Sequence, residues 1–131
     1  MRALSVRQPW AELIASGRKS VELRTWRTNH RGPLVIVSGA GLFRAPPESF
    51  GLSRSIPRGS LICLVDVVDV VPATAEHSPL ACCDVSPGEW AWVLANPRRL
   101  PARPVKGQLM LFEFDLLGVL GDAPAAPPGT P

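Results

Sequence analysis

Along most of this chain the apolar residues come in short runs with a period of two, and only one early stretch keeps the spacing of a helix. Residues 3–6 read as a first strand. Trp10, Leu13, Ile14 and Gly17 then fall at helical spacing, with Pro9 suited to the first helical position and Gly17 to a left-handed close, so a short helix is expected over 9–16. Residues 20–25 alternate: Val21 and Leu23 point to a core, while Glu22 and Arg24 share the opposite face with Ser20. After a turn at Arg31-Gly32-Pro33, the unbroken apolar run 34–37 predicts a strand buried on both faces or lining a barrel interior. Residues 60–71, SLICLVDVVDVV, form the strongest strand pattern, ended by Pro72. A strand over 89–94 places Trp90 and Trp92 on one face, Asn96-Pro97 reads as a turn, and the last strand is expected over 108–116.

The connections are irregular. Residues 41–59 read as one long connection with a single short helical turn, and 73–88 as a polar loop carrying Cys82, Cys83 and a surface His77. Gly39-Ala40-Gly41 lacks the residues of a phosphate loop, and Arg44, Arg54 and Arg58 read as exposed loop arginines. About six strands with one early helix give a mixed α/β, mainly β fold, a small barrel rather than a doubly wound sheet; periodicity alone also admits an open sheet or an OB-type barrel. A single domain is expected over 1–117, with 118–131, rich in proline and alanine, as a disordered tail.

Composition adds little until its distribution is seen. The net charge of the 131 residues is only +3, yet Arg2, Arg7, Arg18, Lys19, Arg24, Arg27 and Arg31 stand against Glu12 and Glu22 in the first quarter of the chain. A confined basic patch suits a small phosphate-bearing ligand better than a broad polyanion surface. No apolar run reaches membrane-span length and no cleavable leader pattern is present, so no membrane partner and a cytoplasmic location are expected. Three cysteines, Cys63, Cys82 and Cys83, fit neither a disulfide framework nor zinc spacing; no metal and no cofactor are expected. Asp66 and Asp69, three apart on a regular strand, face opposite sides, so at most one can share a pocket with Lys19 unless a bulge alters the parity.

The densest chemistry lies in GRKSVELRTWRTNHR, residues 17–31, where a carboxylate, Glu22, sits among Arg18, Lys19, Arg24, Arg27 and Arg31. Gly17, Lys19, Glu22 and Arg24 spell G-x-K-x-x-E-x-R. They follow Leu4-Ser5-Val6-Arg7-Gln8-Pro9-Trp10 and precede Arg24-Thr25-Trp26 and Arg31-Gly32-Pro33-Leu34; further on come the 59–71 strand, Trp92-Val93-Leu94-Ala95-Asn96-Pro97 and Pro104-Val105-Lys106-Gly107. In these residues the chain resembles the ASCH family, the activating-signal-cointegrator homology domains, over roughly residues 3–116. The resemblance implies a PUA-like barrel and a binding module for RNA, single-stranded nucleic acid or a nucleotide, in a basic cleft around the motif. In that cleft Arg7, Arg24 and Arg27 would hold phosphates beside Lys19, Trp26 would stack, Gln8 would offer its amide, and Glu22 would accept from a base edge. Trp10 is left to the core. The alternative is a small hydrolase acting on acylated cytidine nucleosides or on RNA through Lys19 and Glu22, with Arg24 on a developing oxyanion. Relatives of the amidohydrolase type carry threonine where this chain has Glu22; a further carboxylate would come from Glu89, Glu76 or Asp66.

Overall fold

The computed structural model describes residues 1–121. Its strands are β1 (Arg2–Val6), β2 (Val21–Arg24), β3 (Gly32–Ser38), β4 (Leu61–Pro72), β5 (Trp90–Arg99) and β6 (Leu111–Glu113). They make one six-stranded sheet in the order β2-β5-β4-β3-β1-β6, with β1 and β3 parallel and every other neighbouring pair antiparallel. The sheet curls into a half-barrel whose edge strands are β2 and β6. Bulges help it curl: the pairing of β4 with β5 shifts register at Leu64/Asp66 and again at Val67/Asp69.

Alternation puts a core on each side of this sheet. Leu4, Val6, Leu34 and Ile36 point to one face, where Ala11 and Ile14 of α1 (Trp10–Ala15) and Trp92 cover them. Ala3, Val35 and Val37 point to the other, covered by Leu61, Phe112 and Leu116. Every side chain from Leu34 to Ser38 is buried, as the unbroken apolar run predicts. Burying such a run on both faces is worth about 25 cal/mol for each square ångström removed from water.

Three sequence expectations are revised. Residues 73–88 hold a single 3-10 turn, Ala75–His77, leading into a short helix α2 (Ser78–Ala81). Asn96-Pro97 does not turn the chain; β5 runs through it to Arg99, with Asn96 at φ +53 absorbing a bulge. Beyond Val93 the strand has outrun β2, so one side of it is free and proline removes no ladder bond there. The last strand is only Leu111–Glu113: Leu109 is 91% exposed, Met110 has φ +58, and Leu116 already belongs to α3 (Leu116–Gly121). The helix ends at Gly121, and residues 122–131 of the expected tail lie outside the described residues. Among the described residues no helix is long and apolar enough to cross a membrane.

Candidate functional site

The turn after α1 fixes the site. Gly17 takes φ +83, which L-residues resist, and the reversed chain lets the Lys19 amide donate to Leu13 O at 3.0 Å. Lys19 then turns inward, with only 2% of it exposed. Its Nζ donates to Ala81 O at 2.7 Å, stands 3.4 Å from Glu22 Oε1 and lies 5.2 Å from the centre of the Trp10 ring. The same corner is tied twice more to α2 and its end, by Ser20 N donating to Leu80 O at 2.9 Å and by Cys82 Sγ, just past the helix, donating to Arg18 O at 3.4 Å.

β2 supplies the next two groups. Glu22 pairs across the ladder with Trp92 and Arg24 with Trp90, so both polar side chains share the tryptophan face. The predicted alternation of β2 is present, and what it did not reveal is that the polar face is enclosed as well. Val21 and Leu23 pack in a core cluster with Ala81 and Ala91, while Glu22 and Arg24 lie on the opposite face beside Trp92 and Trp90. Glu22 is consequently buried, and its charge is met on both oxygens. Lys19 faces Oε1, while Arg24 donates from Nε to Oε2 at 2.9 Å and brings Nη2 to 2.8 Å from it. Arg24 Nη2 also donates to Ser5 O on β1, at 2.9 Å. A guanidinium held at two points by a carboxylate and a backbone carbonyl has a fixed plane, the geometry that suits a bound oxyanion.

These groups line a cleft of about 500 Å3. Arg7, Arg24 and Arg44 bring guanidinium groups to it, Trp10 and Trp26 bring aromatic surface, and Glu22, Asp84 and Glu89 bring carboxylates. The volume lies within the about 300–1,000 Å3 range of small-ligand sites. The long connection contributes directly: Arg44 N donates to Gln8 O at 2.9 Å, Arg18 Nη1 donates to Phe50 O at 2.7 Å, and the Phe50 ring packs edge-on against Trp10. Cys83 also lines the cleft. Burial pushes its thiol up, with Lys19 opposing and Glu22 and Glu89 adding to the rise, so it is not a thiolate nucleophile at neutral pH.

Of the residues singled out in the sequence, Arg7, Lys19, Glu22, Arg24 and Trp26 meet in this cleft; Gln8 and Arg27 are outside its lining. Gln8 is buried, donating through Nε2 to Pro57 O and accepting from Glu12 N at Oε1, so its amide is spent on joining the long connection to α1. The Arg27 guanidinium lies over Trp90, 5.3 Å from the ring centre. Arg31 turns away to Asp69. Trp10, assigned to the core by its spacing, is half-buried and forms a wall of the cleft. Asp66 pairs with Arg98 and Asn96, away from Lys19. Arg44, Asp84 and the Ala81 carbonyl are the participants that sequence reasoning did not place; a helix of one turn carries no periodicity, and a backbone carbonyl carries no sequence signal.

Comparison with known proteins agrees with this architecture. The human Activating signal cointegrator 1 (Homo sapiens) is 30% identical over 130 residues, and its mouse counterpart (Mus musculus) 28% over 128; each comparison covers 86% of this chain. The chain spans 22% of the length of these two relatives. Among solved structures, the crystal structure of ASCH from Zymomonas mobilis superposes with a TM-score of 0.64 at 13% identity, covering 93% of this chain and 94% of that one. A single-substitution mutant of the same protein gives 0.61 at 12% identity, covering 93% and 96%. The ASCH domain model matches residues 4–102, from β1 to just past β5, and the chain belongs to the ASCH domain family.

Proposed function

We propose that this ASCH domain binds single-stranded nucleic acid, RNA foremost, by seating one nucleotide in the cleft beside Arg24. One observation carries the reading: the Arg24 guanidinium, fixed by Glu22 and Ser5 O, stands in a recess walled by two further arginines and two tryptophans. Phosphate takes the guanidinium side of such a recess, and a base stacks on the Trp26 face. Asp84 and Glu89 accept from exocyclic amino groups. Glu22, occupied on both oxygens by cations, acts as the strut that aims Arg24 rather than as a reader of the base edge. The association of the ASCH family with RNA binding supports RNA as the ligand.

The test is titration of a short oligoribonucleotide against wild type, Arg24→Ala, Trp26→Ala and, as a control remote from the cleft, Arg98→Ala. Arg24→Ala weakens binding by about 1–3 kcal/mol, as loss of a charge-assisted contact does. Trp26→Ala costs about 1–3 kcal/mol for one stacked base. Arg98→Ala binds as wild type. Wild-type affinity in both cleft variants refutes the site.

A second reading, a hydrolase acting on acylated cytidine nucleosides or on RNA through Lys19 and Glu22, has one observation in its favour: Glu89 brings a further carboxylate to the same cleft. It ranks second because the Lys19 ammonium is already engaged by Ala81 O and Glu22. Incubating acylated cytidine and RNA with stoichiometric protein decides it; no product removes the reading.

A further inference from the structure

A second recess, of about 860 Å3, lies between the Gly39–Gly41 backbone and the segment 104–110. Its lining and that of the cleft share two residues, Arg7 and Arg24. These two guanidinium groups therefore stand between one depression and the next.

The groove has built walls. Val105 N donates to Gly59 O at 3.0 Å and Leu61 N to Arg103 O at 2.9 Å, fastening the start of the 104–110 segment along β4. On the other side the segment lies close against β1: a Cβ on Gly107 would stand 2.6 Å from Ser5 Oγ. Ser5 O in turn accepts from Arg24, so the groove wall and the cleft share one strand residue. Arg7 lies over backbone, its Cζ only 3.1 Å from where a Cβ on Gly41 would be. Among the described residues neither Arg7 nor Lys106 makes a side-chain hydrogen bond or ion pair, while Leu109 and Met110 offer exposed apolar surface at the rim.

Two guanidinium groups at a threshold, a floor of bare backbone, an apolar rim and a free ammonium beyond repeat the chemistry of a nucleotide joined through a phosphodiester. We propose that the groove is the site for the neighbouring nucleotide of a single strand. The linking phosphate rests on Arg7 and Arg24, the adjacent ribose and base lie over the Gly39–Gly41 floor against Leu109 and Met110, and Lys106 meets the next phosphate. This rests on the cleft holding one nucleotide and adds that the ligand is an oligonucleotide rather than a free nucleotide.

The experiment is a length series. A mononucleotide and oligomers of two, three and four nucleotides, in ribose and deoxyribose forms, are titrated against wild type, Lys106→Ala and Ala40→Trp, the last an exposed position where an indole fills the groove. Wild type binds the trimer at least about tenfold tighter than the mononucleotide, with a plateau thereafter. Ala40→Trp abolishes that gain without changing mononucleotide affinity. Lys106→Ala lowers the salt slope for the trimer by about 0.7, the share of one phosphate on a single strand, and leaves the mononucleotide slope unchanged. A gain in either sugar series supports the groove, and the larger gain names the sugar. Equal affinity for monomer and trimer overturns the groove alone, as does a gain that survives Ala40→Trp. Absence of binding at every length overturns the cleft reading beneath it.

Discussion

Replacing Glu22 with leucine removes the charge on which the interior of this half-barrel depends. The Lys19 side chain is 2% exposed and loses its only carboxylate partner among the described residues, whereas Arg24, with 23% of its side chain exposed, can rehydrate and keep its bond to Ser5 O. Breaking a buried pair from one side costs about 3–5 kcal/mol. The surviving Ala81 hydrogen bond and the Trp10 ring offset about 1–2 kcal/mol of that for Lys19, leaving at mid-range a net loss of about 2.5 kcal/mol. A domain of this size has about 5–15 kcal/mol of stability, so the variant stays folded and measurable. Adding Lys19→Met then removes the stranded ammonium. The double variant leaves only the Ala81 carbonyl without its donor, a cost of about 1 kcal/mol, and so recovers at least about 1 kcal/mol over Glu22→Leu alone. Urea unfolding reads this as a midpoint that falls in the single variant and rises again in the double, with m unchanged. The penalty persists in high salt, because the pair is buried. A double variant no more stable than Glu22→Leu refutes the reasoning.

Two further outcomes are expected. Burial pushes the Cys63 thiol up from an ordinary 9.0 to about 12. The folded state therefore keeps a proton that the unfolded chain releases above pH 9, and stability falls as pH rises from 9 toward 12 by up to about 1.4 kcal/mol per unit. The stability difference between wild type and Cys63→Ala is constant below pH 9 and shrinks above it; a difference still flat at pH 11 contradicts the assignment. Gly17→Ala puts an L-residue at φ +83 with no clash, Pro97 Cγ lying 3.8 Å from the new Cβ, so the cost is backbone strain of about 1 kcal/mol. Thermal melting should drop by about 3–5 °C, and an unchanged midpoint would show that the turn is not held in that conformation.

Much of this was legible in the sequence wherever a local rule governed. The spacing of Trp10, Leu13, Ile14 and Gly17 predicts the turn at Gly17, and Val21 and Leu23 predict the alternation of β2, because a helix close and a period of two are set by neighbours in the chain. What these patterns could not give was that the face of β2 opposite Val21 and Leu23 is enclosed too, burying Glu22. That depends on Trp92, which arrives from β5 seventy positions later and pairs opposite Glu22. Gln8 likewise depends on a distant partner. A glutamine after a strand looks like a ligand group until Pro57, 49 residues on, claims its amide. Asn96-Pro97 carries a strong turn signal, and only the ending of β2 beside it lets the strand continue. Asp66 and Asp69 were kept apart by parity, and the bulges of β4 did not bring either to Lys19, since Arg98 and Arg31 hold them elsewhere.

The gathering of tryptophans gives the molecule a built-in optical reporter. The chain has four tryptophans and no tyrosine, so its near-ultraviolet emission is essentially theirs. Trp92 lies in the core cluster under β2, Trp10, Trp26 and Trp90 pack against that same cluster, and Trp26 meets Trp92 edge-on at 4.9 Å between ring centres. Trp10 and Trp26 also line the cleft. Unlabelled protein thus signals events at one place on its surface, and a base laid on Trp26 is read as quenching without any dye attached.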